Sequence, residues 1–262
     1  MRTLTDDLGA PVPLAGPPRR LVSLVPSLTE SVEFSAPGLL VGATDYCTHP
    51  AGLDVARVGG SKYPTVDAVL ARAPDLVLAN AEENRPEDVA ALREAGLPVW
   101  VTEAAADVAA GLASVRRMLT GPLGLATPDW VTQAAAAWGG PLPPVVATAV
   151  VPVWRRPWVL VGGRTFAGDV LRRLGVANAY ESYPDRYPRP PLDELRALLA
   201  DGGADLVVLP DEPYRFTPDD GPEAFPGARC AFLDGRLLTW CGPSLVEART
   251  RLSEQLGLPA QL

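Results

Sequence analysis

Pro64-Thr65-Val66-Asp67-Ala68-Val69-Leu70-Ala71-Arg72-Ala73-Pro74-Asp75-Leu76-Val77-Leu78 reads as an acid-headed amphipathic helix running into an apolar strand. Pro191-Leu192-Asp193-Glu194-Leu195-Arg196-Ala197-Leu198-Leu199-Ala200 repeats the helix. A Gly202-Gly203 break and Ala204-Asp205-Leu206-Val207-Val208-Leu209 then repeat the strand. Two matching helix–strand units half a chain apart predict two similar α/β lobes. A cleft between two lobes is a common place to hold a small ligand.

Outward from these segments, strands are expected at 21–25, 39–43, 76–79, 98–102, 145–153, 159–161 and 206–209. Helices are expected at 86–95, stopped by Gly96, at 104–119, at 127–138, at 166–174, stopped by Gly175, and at 243–256. Strands alternating with helices of this length argue for parallel sheets. Ser27-Leu28-Thr29-Glu30 has the form of a capping box after the first strand. The strand 159–161, entering Gly162-Gly163-Arg164-Thr165, reads as the counterpart of the first strand, and 230–239 as a hairpin turning at Asp234-Gly235. The expected organisation is an irregular arm at 1–19, an N-terminal α/β lobe at 20–120, a bridging helix with its flanks at 121–143, and a C-terminal α/β lobe at 144–262.

Composition narrows the function classes. The chain has 262 residues, 47% hydrophobic and 21% charged, with a net charge of −8. That is a globular composition. Without a Lys/Arg block, nucleic acid is not an expected partner. No apolar run approaches the ~18 residues of a membrane span. Cys47, Cys230 and Cys241 are too few and odd in number for a disulfide framework. Asp6, Asp7 and four prolines break any leader-like run within 1–20, and no cysteine there could take a lipid. The expectation as written is a cytoplasmic protein, or an extracytoplasmic one if a leader has been trimmed.

In α/β sheets, chemistry sits in loops beyond the carboxyl ends of the strands. Tyr46, Tyr63, Trp154, Trp158, Phe166, Tyr214, Phe216 and Trp240 fall in such loops. Aromatics there can form a flat apolar surface for a large ring-shaped ligand, or can plug the ends of each core. His49, the only histidine, and Cys47 stand at C-x-H spacing with no partner in sequence to complete a metal site. His49 is a candidate axial ligand to a ligand's metal, or a loop histidine beside Pro50 making a local hydrogen bond. The glycine-rich turn at 162–165 lacks the P-loop lysine and is weak evidence for phosphate. Arg155, Arg156 and Arg164 could meet an anionic group or simply be solvated. Asp67 and Asp193 suit the first turn of a helix for its dipole alone; they could equally meet arginines on a two-fold partner.

Taken together, several segments resemble the class III solute-binding proteins of ABC importers, the helical-backbone metal receptors, and most closely their cobalamin-binding branch. The carriers are residues 21–30 (LVSLVPSLTE), 41–47 (VGATDYC), 58–60, 73–78, 154–158 (WRRPW), 163–166, 212–216 (EPYRF) and 238–243 (LTWCGP). The resemblance implies two Rossmann-like lobes with central, mostly parallel sheets, joined by a bridging helix, with the ligand cleft between them. It implies a non-catalytic receptor for a corrinoid, haem or ferric siderophore, with no built-in cofactor. Carried over by position, Pro26, Ser27, Thr29, Glu30, Tyr46, Trp154, Phe166 and Trp240 would border the ligand. Tyr63, Arg155 and Tyr214 join them from the loop reading. Asp67 and Asp193 fall where exported relatives dock on an ABC permease. The departures are the missing leader and anchor cysteine, a bridging helix of only ~18 Å, and Gly242-Pro243-Ser244 where many relatives read Gly-Pro-Arg. The other classes are an enzyme acting on such a ligand or on a small phosphorylated metabolite, using Cys47, His49, Glu30 and Glu212, and an interaction module whose cleft is filled by its own side chains.

Overall fold

A computed structural model describes residues 2–258, which divide into two compact units. The first comprises residues 2–104, Ala110–Ala135 and Cys241–Pro243. The second comprises Ala105–Ala109, Ala136–Trp240 and residues 244–258.

The first unit opens on an antiparallel hairpin of β1 (Arg2–Thr5) and β2 (Pro11–Leu14), where an irregular arm was expected. Pro11 and Pro13 occupy its exposed face while Val12 and Leu14 are buried. Both strands of a hairpin are edge strands, where proline is tolerated. The sheet that follows is wholly parallel, in the order β5 (Ala56–Arg57), β4 (Leu40–Ala43), β3 (Leu21–Ser23), β6 (Leu76–Asn80), β7 (Val99–Thr102). β3, β6 and β7 are largely apolar and buried because both faces of the sheet are covered there, while the edge strand β5 carries the exposed Arg57. Val22, Leu24, Val58, Val69, Val77 and Leu92 form one fully buried cluster.

Helix α1 (Pro26–Ser35) does not use the capping box. Pro26 is its first residue, so Ser27 lies inside the helix, and no side chain caps Val25. Proline at this position presets the helical φ and has no N–H to satisfy. Helix α2 (Val66–Leu70) is the acid-headed helix of the first repeat. α3 (Pro86–Glu94) is stopped by Gly96 at φ 85°. α4 (Val108–Thr120) and α5 (Asp129–Trp138) follow.

The second unit is built on a parallel sheet in the order β11 (Val176–Asn178), β8 (Ala147–Val150), β12 (Leu206–Pro210), β13 (Cys230–Leu233). A separate antiparallel hairpin, β9 (Pro152–Trp154) and β10 (Val159–Leu160), is inserted after β8. Residues 145–153 are therefore not one buried strand: Val145 and Val146 are exposed, and the chain divides at Val151 between β8 and β9. Helices α6 (Phe166–Arg173), α7 (Leu192–Ala200), α8 (Gly235–Thr239) and α9 (Leu245–Gln255) complete the unit. Residues 230–239 do not make a hairpin. β13 runs parallel to β12, and Asp234 caps α8 by accepting from the Leu237 N–H at 3.1 Å. Asp-Gly serves a tight turn and a helix N-terminus equally well, so the dipeptide alone did not decide between them.

With the two-residue edge strand β5 set aside, since it has no counterpart in the second sheet, the remaining four strands of the first sheet follow the same chain order as the four of the second. The first strand (β3 or β8) lies between the second (β4 or β11) and the third (β6 or β12), with the fourth (β7 or β13) outside the third. The repeated helix–strand segments supply the third strand of each sheet. The counterpart of β3 is thus β8, not residues 159–161, which belong to the inserted hairpin.

Candidate functional site

In the first unit the candidate residues sit beyond the carboxyl ends of β3, β4 and β5. Pro26 and Ser27 are half-buried at the start of α1, while Thr29 and Glu30 are buried. Tyr46 and Tyr63 are 66% and 70% exposed, and the Arg85 guanidinium stacks 4.4 Å from the Tyr63 ring centre. Beneath them runs a buried polar network. The Thr29 hydroxyl donates to Cys47 Sγ at 3.0 Å, Thr44 Oγ1 lies 3.1 Å from the same sulfur, and Ser61 Oγ lies 3.4 Å from Thr44 Oγ1. Asn84 Nδ2 donates to Ser61 O at 2.8 Å and to Leu24 O. Arg57 Nη1 donates to both Thr44 O and Cys47 O at 3.0 Å. These bonds tie four loops together, with the Thr29 side chain fully buried among them. Arg57 and Asn84 carried no signal in the sequence, because their partners lie on other loops.

In the second unit the aromatic residues form a ladder. Trp154, 45% exposed, meets Tyr214 edge-on at 5.6 Å and 80°. Tyr214 packs on Phe216 at 4.7 Å, and Phe216 stacks on Trp158 with an interplanar angle of 1°. Trp158 and Phe216 are buried core residues, as are Phe166 and Trp240. Half of the eight loop aromatics therefore plug a core, and Trp154, Tyr214, Tyr46 and Tyr63 keep accessible surface. The Arg155 side chain is 12% exposed and ion-paired to Asp220 and Glu223, with its guanidinium 5.4 Å from the Trp158 ring centre. The Gly221 N–H and Arg155 hold the Glu223 carboxyl below the usual carboxylate range. Glu212 accepts a hydrogen bond from Trp240, yet burial, reinforced by Asp211, pushes its carboxyl up.

The glycine-rich turn at 162–165 has a packing explanation. A Cβ on Gly162 would collide with Asp185 O, and one on Gly163 with Glu181 O. Gly162 N–H donates to Arg186 O at 2.8 Å. The turn is small so that the 181–188 loop can lie across it.

Cys47 is fully buried, and burial raises its thiol pKa despite hydrogen bonds from Thr29 and Thr44. That is the opposite of an activated nucleophile. His49 Nδ1 lies 3.1 Å from Thr48 Oγ1. Among the described residues no group of three or more His, Cys, Asp or Glu could hold a metal ion. Asp67 and Asp193 both occupy the exposed first turn of the repeated helix, and Asp193 is 3.6 Å from Arg196. Among the described residues, no helix is long and apolar enough to cross a membrane. A cavity of about 590 Å³ in the first unit, bounded by Asp7, Glu103, Arg116 and Arg117, is lined by none of the candidate residues.

Comparison with known proteins defines first a class of fold. The periplasmic haem-binding protein RhuT of Roseiflexus sp. RS-1 is 18% identical, with 90% of this chain and 97% of that chain covered at a TM-score of 0.71. A periplasmic haem-binding protein of Pseudomonas aeruginosa is 24% identical over 94% and 95%, also at 0.71. The periplasmic vitamin B12-binding protein BtuF of Vibrio cholerae is 16% identical over 92% and 97%, at 0.67. The chain has the fold of these periplasmic haem- and vitamin B12-binding proteins, the α/β fold that the sequence resemblance implied. At the level of sequence it is similar to the vitamin B12-binding protein of Vibrio cholerae, with 30% identity over 86 residues. That match spans about a third of each chain, 32% of this one and 31% of the relative. No protein-family model matches.

Proposed function

We propose that this chain is a non-catalytic binding protein for a corrinoid of the cobalamin type or a related metal chelate, serving an ABC importer. The observation that carries the reading is that each unit keeps accessible aromatics beyond the carboxyl ends of its parallel strands, Tyr46 and Tyr63 in the first and Trp154 and Tyr214 in the second. Flat aromatic faces suit a large, partly apolar ring system, and Pro26 and Ser27 extend that surface in the first unit. Glu30 in the first unit, and Phe166 and Trp240 in the second, are the buried members of the proposed set. The vitamin B12-binding relative supports the corrinoid, and the haem-binding proteins of the same fold support haem as the second reading. The buried, high-pKa thiol of Cys47 argues against the enzyme alternative. The periplasmic relatives favour action outside the cytoplasm over the cytoplasmic expectation. Asp67 and Asp193, one per repeat and both exposed, are proposed to meet arginines of a permease.

Absorbance titration with cobalamin, cobinamide and haemin, paired with thermal shift, tests the reading. A saturable spectral change with a raised melting temperature for one ligand supports it and names the class. No binding to any of the three at ~100 μM, only ~5.5 kcal/mol, is too weak for a dedicated receptor and rejects it. An Asp67→Asn/Asp193→Asn variant should bind as wild type and lose uptake.

A further inference from the structure

Both oxygens of the Asp220 carboxylate are used, and by different elements. Oδ1 pairs with Arg155 Nη1 at the tip of the β9–β10 hairpin. Oδ2 accepts the Tyr214 hydroxyl at 2.5 Å from the loop after β12. Asp220 is itself fixed in a tight turn, exchanging backbone hydrogen bonds with Thr217 at 3.0 and 3.1 Å. The second arm of the Arg155 fork pairs with Glu223, whose other oxygen accepts the Gly221 N–H at 2.6 Å. Trp154 is the residue next to Arg155, and its ring meets that of Tyr214. The accessible aromatic pair is therefore held from behind by a shielded guanidinium, two carboxylates and a hydroxyl. Such charge-assisted, forked bonds are directional. A surface held in its binding shape loses less entropy when it binds.

We infer that Asp220, with Arg155, is a positioning residue that presets the Trp154–Tyr214 face for its ligand, rather than a ligand contact. This rests on the binding reading above. It also assigns Arg155, the first of the two arginines in the 154–158 segment, to the scaffold.

The test uses the full chain carrying Tyr214→Phe, Asp220→Asn or both. Tyr214→Phe deletes one hydroxyl and leaves the ring, so it stays informative even if Asp220→Asn folds poorly. Affinity is read by absorbance titration with cobinamide and haemin. Amide hydrogen exchange over 212–221 is read without ligand. Each single variant is expected to weaken the ligand that wild type binds about tenfold, mainly through faster release. The double variant should be no weaker than the worse single, because the groups act as one unit. Exchange at 212–221 should quicken while the melting temperature holds. Wild-type affinity and wild-type exchange in both single variants would overturn the inference. A wild-type protein that binds neither probe rejects the binding reading instead, and unchanged exchange in the variants then still overturns the clamp.

Discussion

Asp75 and Asp205 perform the same task in the two units. Asp75 N–H donates to Arg20 O at 2.8 Å, and its carboxylate accepts the N–H groups of Arg19 and Arg20 at 2.8 and 3.0 Å. Asp205 N–H donates to Thr148 O at 2.9 Å, and its carboxylate accepts the Thr148 N–H at 3.2 Å. Each aspartate thus latches the start of the third strand to the start of the first. This latch is the physical content of the repeated Asp-Leu-Val signature. Asp75→Ala should cost roughly 1–2 kcal/mol and Asp205→Ala about 1 kcal/mol, since the first removes two exposed hydrogen bonds and the second one. Urea denaturation of the two variants checks the order.

The three thiols should be slow to react in the native protein. Cys47 is enclosed by Thr29 and Thr44, burial raises the thiol of Cys230, and burial pushes that of Cys241 up to about 12. Thiolate is the reactive form. A chromogenic disulfide at pH 8 should therefore titrate little in the folded chain and three thiols after unfolding. Rapid labelling of Cys47 in the native protein would reopen the nucleophile reading.

Alanine at Gly163 should be costly although the position is not in a left-handed conformation. Its Cβ would strike the Glu181 carbonyl, and backbone cannot step aside as a flexible side chain can. Overpacking of this kind costs about 1–3 kcal/mol. Thermal melts of Gly163→Ala should fall well below those of Gly140→Ala, where nothing lies within 4 Å.

Glu212 and Glu223 should pull stability in opposite directions with pH. The Glu212 carboxyl is raised in the fold, so the native state binds more protons than the unfolded chain. Its contribution is fullest below the unfolded value near ~4.3 and falls as pH rises through the folded value. Glu223 is lowered, so its contribution is present above the unfolded value and is lost as pH falls through the folded one. Melting temperatures from pH 3 to 8 should show Glu212→Gln gaining on wild type toward neutrality. Glu223→Gln should lose to wild type there and converge with it in acid.

The sequence by itself determined the alternation of helix and parallel strand, the duplication, and the helix stops. Those signals are local: apolar runs such as Leu76-Val77-Leu78 need only cover on both faces, and Gly96 and Gly175 both take the φ of 85° that stops a helix. The tertiary structure alone decided which aromatics face outward. Trp154 and Trp158 are four residues apart in one hairpin, yet Trp158 is covered by Phe216 and Phe225 while Trp154 is not. It alone assigned Arg155 to carboxylates 65 and 68 residues away, and the glycines at 162–163 to a backbone crossing instead of a phosphate. Ser27 lost its capping role to Pro26, and Asp234 became a cap instead of a turn. Burial and pairing depend on which distant loop arrives alongside, a long-range outcome that residue type and short-range spacing do not encode.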